Sequence, residues 1–127
     1  MNPFPEDLHF DNAGMIGGQR HIILTRSFRA ATSLGVIVVP KGTISNGASI
    51  PRAAQSLVGD PFEEYLESAV VHDHLYSSAN EHYTRAEADF ILRELMWNQV
   101  DVARWKAIAF WWAVRVGGKW NYNGYEP

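Results

Sequence analysis

The stretch ESAVVHDHLYSSAN, residues 67–80, decides how this chain is read. With Phe62, Tyr65 and Leu66 ahead of it, its apolar residues Ala69, Val70 and Tyr76 recur at helical spacing. The pattern predicts a helix opening at Pro61 and closing near Tyr76. Yet three titratable groups, His72, Asp73 and His74, stand in its middle. Asp73 falls on the apolar stripe, three residues after Val70 and three before Tyr76. His72 and Tyr76 are four apart and so stack one turn from each other. His74 is expected on the opposite, solvated face.

Downstream, SSANEHY (77–83) reads as a polar loop, and TRAEADFILRELM (84–96) as a second helix. Thr84 as N-cap with Glu87 three residues on is a capping box. The apolar stripe is Ala88, Ile91, Leu92, Leu95 and Met96, with Asp89 one position off it. Helices joined by so short a loop pack antiparallel. His72 lies one turn before the end of the first helix and Asp89 about one and a half turns into the second, so the two stand level. An Asp facing a His across a helix pair can hold one ring nitrogen and leave the other free as a base. Tyr76 would support either partner through its hydroxyl. The plainer alternative is that a His and an Asp buried between helices only satisfy each other. Arg85 and Arg93 are candidate ion-pair partners for Asp73 or Asp89.

Working outward, residues 1–19 read as an extended N-terminal arm. HIILTRSFRA (21–30) has strand character, and LGVIVVPKG (34–42) more so, with Ala31 to Ser33 connecting them as a hairpin. A short strand follows at Thr43–Ser45. NGAS (46–49) is a turn signal, and 50–59 a short helix with Pro51 in its first turn. Ser49 suits a turn or cap and is the one candidate nucleophile there. Asp101 is expected to cap a last helix running to Gly117 and Gly118, and 119–127 form an aromatic tail. The expected fold is α+β: a small N-terminal antiparallel sheet, then three to four packed helices, in one domain over 20–118.

At 127 residues, 46% hydrophobic and 20% charged, the chain suits one globular domain. It has no cysteine, which removes disulfides and thiolate metal sites. A net charge of −3 argues against a nucleic-acid partner. No basic start with an apolar run marks a leader peptide, and AIAFWWAVRV (107–116) falls short of the roughly 20 residues of a membrane span. The five tryptophans, from Trp97 to Trp120, load the C-terminal third and suit an interface as well as a core. No paired-histidine zinc motif, Gly-x-Ser-x-Gly elbow or phosphate loop is present.

Four motifs occur in order: VPKG ending a strand, SNGASIP, VHDHLY and TRAEAD. In this succession, over roughly residues 20–117, the chain resembles a domain-of-unknown-function family of tailed phages and prophages. That family carries Asp in the turn where this chain has Asn46. More distantly, His72-Asp73-x-x-Tyr76 is similar to the active-site helix of secreted phospholipases A2, prokaryotic members included. That resemblance implies His72 as the base activating water, Asp89 orienting it, and Asp73 binding calcium with the loop at Asn46. In those enzymes disulfides tie the helices; here none can form.

Two expectations follow. One is a phage-encoded hydrolase, phospholipase-like or envelope-degrading, with His72, Asp89 and Tyr76 catalytic, Asp73 and Asn46 at a cation, and Ser49 at the substrate turn. It expects His72 to be reachable from a cleft. The other is a virion or tail protein in which the motif is structural and fully buried, with the Trp- and Tyr-rich C-terminus meeting partner proteins. The expected locations are the virion or the host cytoplasm, and a membrane or cell-envelope substrate suits the first expectation.

Overall fold

A computed structural model describes residues 3–46, 65–99 and 101–127. Among the described residues, five strands come first: β1 (Phe10–Ile16), β2 (Gln19–Leu24), β3 (Phe28–Thr32), β4 (Gly35–Val39) and β5 (Ile44–Ser45). Three described helices follow, α1 (Leu66–Tyr76), α2 (Arg85–Asn98) and α3 (Arg104–Gly117), and a 3-10 turn at Gly118–Asn121. The architecture is α+β, as the sequence predicts. The expected short helix over 50–59, the helix start at Pro61 and Ser49 all lie outside the described residues.

The strands form two antiparallel units, a sheet ordered β1-β2-β5 and the hairpin β3-β4. Residues 10–16, read from sequence as part of an arm, are β1, paired along β2 from Phe10↔Leu24 to Ile16↔Gln19. Gly17 and Gly18 make the two-residue turn between them, at φ 61° and 79°. Positive φ at both central positions is the turn that matches strand twist, and glycine adopts it without strain. The strand character expected over 21–30 divides at residues 25–27 into β2 and β3. On β3 and β4 the alternation is that of a half-buried ribbon: Phe28, Ala30, Ile37 and Val39 face inward, Val36 and Val38 outward.

The inward residues of β2, β3 and β4 pack with Val70, Val71 and Leu75 of α1 and Ala88, Ile91 and Leu95 of α2. On its other side α2 places Leu92 and Met96 against Tyr65, Ala69 and, from α3, Ala107, Phe110 and Val114. So α2 is the shared wall of two core clusters. Its N-terminus has the expected capping box, Thr84 and Glu87 each bonding the other's backbone N–H. Asp101 does not cap α3: the helix begins at Arg104 after Ala103 with no side-chain cap.

Helix α1 departs from its predicted pattern. Of its eleven residues nine are buried, with Glu67 and Asp73 the half-buried pair. A helix enclosed on nearly every side has no single apolar stripe. Hence Asp73, expected on the stripe, lies on the more open side, and His74, expected in solvent, is buried.

Candidate functional site

Asp89 is the hub. It is fully buried on the first half of α2 and meets His72 and Tyr76 from α1 and Arg115 from α3. The Tyr76 hydroxyl donates to Asp89 Oδ1 at 2.6 Å, and His72 Nε2 stands 2.9 Å from the same oxygen. Arg115 Nη1 donates to Oδ2 at 2.8 Å, with Arg85 Nη1 3.6 Å away from it. The level placement of His72 and Asp89, and the one-turn stack of His72 on Tyr76, are as the sequence implies; the rings lie 4.2 Å apart.

The electrostatics fix the roles. Burial alone would raise the Asp89 pKa, but hydrogen bonds from His72, Tyr76 and Arg115 outweigh it and hold the carboxyl below its ordinary value. Asp89 is therefore a carboxylate, which only accepts. His72 Nε2 must then donate, and in the neutral ring Nδ1 keeps its lone pair. Burial, followed by the Asp89 hydrogen bond and charge, pushes the Tyr76 hydroxyl well above the ordinary phenol range. Tyr76 is a permanent donor here and not an acid.

Three supporting residues escaped the sequence reading. Arg115 neutralises the far oxygen of Asp89, and the packing of Asp101–Gly117 behind the second helix was its only hint. Asn80 holds the α1–α2 loop: its amide donates to the carbonyls of Leu75 and Tyr83 and accepts from the N–H of His82 and Tyr83. Tyr122 packs edge-on against Tyr76 at 5.0 Å and donates to the Tyr83 carbonyl at 3.0 Å. Of the expected arginine partners Arg85 reaches Asp89, while Arg93 lies over the rings of Phe90 and Trp111.

Beside this centre is a polar cavity of about 170 Å³, lined by Thr43, Ile44, Asp73, His74, Tyr76, Ser77, Asn121 and Asn123. Asn46 is half-buried two residues past Ile44, and the rest of the turn signal lies outside the described residues. Ser49 is not among the described residues. His72 is 1% exposed and does not line this cavity. A calcium shell needs roughly 6–8 oxygens, several of them charged. The cavity supplies one carboxylate, and no group of three His, Asp or Glu that could hold a metal occurs among the described residues. Among the described residues the donors fall short of a calcium shell, and the loop after Asn46 expected to complete it lies outside them.

A small α+β domain with a buried His-Asp-Tyr-Arg centre is thus what fold and site define. Residues 22–114 match the family described as "Protein of unknown function (DUF1353)", and the chain belongs to that family. It is similar to the uncharacterized protein y4jT of Sinorhizobium fredii, 39% identical over 83 residues. That match covers 63% of this chain and 23% of the relative, so the chain corresponds to less than a quarter of that longer protein. No solved structure matches. Among the described residues, no helix is long and apolar enough to cross a membrane.

Proposed function

We propose that the chain is a phage- or prophage-encoded hydrolytic domain in which His72 is the general base. The observation that carries this reading is the over-determined orientation of His72: Nε2 is held at 2.9 Å by a carboxylate that Tyr76 and Arg115 hold in turn. A base must keep one ring nitrogen fixed and present the other, and this arrangement leaves Nδ1 for a water proton. Asp89 stabilises the imidazolium formed as water attacks, in the way a buried acid orients a catalytic His elsewhere. His72 is 1% exposed, so the reading requires substrate to displace what packs over the ring. Phospholipid and peptidoglycan are the substrate classes to test, the first by the resemblance of the helix pair, the second by the demands of infection. In the test, wild type and His72→Asn are assayed on phospholipid vesicles and on peptidoglycan, with circular dichroism as the fold control. The reading expects hydrolysis of one class, reduced by about 100-fold or more in the variant. Wild type inert on both, or a variant of equal activity, refutes it.

A second reading, a particle-associated interaction module, is favoured by α3. Trp105, Ile108, Trp112 and Val116 are exposed along one side of it, and Trp120 continues the row. Spacings of three and four place them on one stripe, a surface suited to a partner protein. This reading treats the buried His72–Asp89 pair as structural. It expects the chain to copurify with phage particles and Trp112→Glu to release it; a chain absent from particles removes it.

A further inference from the structure

Helix α3 shows two opposite faces. Ala107, Phe110 and Val114 are buried and pack with Leu92 and Met96 of α2. The other face carries Trp105, Ile108, Trp112 and Val116, and Trp120 prolongs the row beyond the helix end. The three tryptophans and Val116 are each more than half exposed. At about 1.5 Å per residue the row from Trp105 to Val116 runs for roughly 16 Å. A continuous apolar row of this kind marks a surface with an occupant.

Charge narrows the choice of occupant. From Val102 to Tyr125 the chain has Arg104, Lys106, Arg115 and Lys119 and no acid, although its net charge is −3. Arg115 is engaged with Asp89. The other three cations stand among tryptophans. Arg104 Cζ lies 4.6 Å from the Trp97 ring centroid, Lys106 Nζ 5.8 Å from that of Trp105, and Lys119 Nζ 4.4 Å from that of Trp120. Positive charge beside the apolar row attracts an anionic occupant. The acid excess lies in the rest of the chain, so an anionic surface attracts this segment and repels the remainder, which fixes the orientation of approach.

Hydrogen bonding separates a lipid surface from an acidic protein. Protein interfaces carry about one hydrogen bond per 100–200 Å². Helix α3, RWKAIAFWWAVRVG, has no Ser, Thr, Asn, Gln, Asp or Glu with which to make them. Its polar side-chain groups are indole N–H groups and cations. Indole rings sit at headgroup level in a bilayer, and long basic side chains reach past apolar surface to the phosphates.

We propose that the exposed face of α3, from Trp105 to Val116 and on to Trp120, docks this protein on the surface of an anionic phospholipid membrane, in the headgroup region and without crossing it. Trp105, Trp112 and Trp120 enter the interface, and Arg104, Lys106 and Lys119 meet phosphates. The helix is already folded and fixed to α2, so docking needs no ordering step.

This docking goes beyond the hydrolase reading and does not rest on it. It also gives the α3 row a different occupant from the partner protein of the second reading. The experiment is cosedimentation of the full chain with vesicles of phosphatidylglycerol and phosphatidylcholine in equal parts, and with vesicles of phosphatidylcholine alone. Tryptophan fluorescence is read in the same samples. The expected result is binding to the anionic vesicles with emission moved to shorter wavelength, and binding at least about tenfold weaker to the neutral ones. Trp112→Ser and Lys119→Glu are each expected to weaken it about fivefold or more, with unchanged circular dichroism. Val36→Ser, at an exposed position on β4, and His72→Asn are expected to bind as the wild type does. Should Trp112→Ser fail to fold, Lys119→Glu, beyond the end of α3, reads the same face. Vesicle binding by a chain that hydrolyses nothing keeps the docking face and removes the enzyme; lipid hydrolysis without vesicle binding does the reverse. No binding to anionic vesicles, equal binding to neutral ones, binding undiminished in both variants of the face, or an equal loss in Val36→Ser overturns the proposal. A chain that ignores vesicles and is held on phage particles through Trp112 gives the row to a protein instead.

Discussion

Replacing Asp89 by Asn changes one oxygen to an amide nitrogen and removes the charge while keeping the shape. In the native centre Oδ1 accepts from Tyr76 and His72, and Oδ2 accepts from Arg115. Asn has one acceptor side and one donor side. If its oxygen serves Tyr76 and His72, its NH2 faces the Arg115 guanidinium; if it turns over, its NH2 faces Tyr76 and His72. Either way a donor meets a donor in a fully buried site. An orphaned buried group costs about 1–3 kcal/mol, and breaking a buried ion pair outright about 3–5. Asn keeps part of the network, so Asp89→Asn is expected to lose about 2–4 kcal/mol. Tyr76→Phe removes one donor and leaves the carboxylate bonded by His72 and Arg115, and is expected to lose about 1–1.5 kcal/mol. Urea unfolding of the three proteins, followed by circular dichroism and by tryptophan fluorescence, measures both at constant m. An Asp89→Asn midpoint equivalent to a loss under about 0.5 kcal/mol would refute the claim that all donors depend on the charge.

Two further outcomes are expected. At Gly118 an added Cβ would sit 2.6 Å from the Tyr76 hydroxyl oxygen, so Gly118→Ala must push Tyr76 off Asp89; a loss of about 1–3 kcal/mol is expected in the same urea assay. The pH dependence of stability should have two parts. His74 has a folded pKa below 6.5, so the unfolded chain takes up the proton first: the contribution is complete above 6.5 and is lost as pH falls through the lowered folded value. Asp89, lowered from 3.8, adds stability that is complete above 3.8 and disappears below its folded value. A stability curve flat from neutral pH down to 4, or one whose upper part survives in His74→Ala, would contradict the first part.

The dyad was legible because it needs only two local facts, a spacing of four between His72 and Tyr76 and a short loop between two helices. Asp89 stands one position off its apolar stripe, and that was enough to aim it at α1. The face of α1 was not legible, because a helix buried on nearly all sides carries no periodic signal, and Asp73 and His74 were placed by a stripe that does not exist. β1 was missed for the opposite reason. Its residues, FDNAGMI, are exposed or half-exposed throughout, so this edge strand has no buried face to write an alternation into the sequence. Arg115 could not be read because no local spacing sets the rotation of α3 against α2.

The central claim is that Asp89 orients His72 through a proton on Nε2. Nitrogen-15 NMR of the histidine side chains at neutral pH reads this directly, with His72 assigned by comparison with His72→Asn. A proton on His72 Nε2, hydrogen-bonded to Asp89, is expected. A His72 ring protonated on Nδ1 alone, with a bare Nε2 facing the carboxylate, would contradict both the charge assigned to Asp89 and the base assigned to His72.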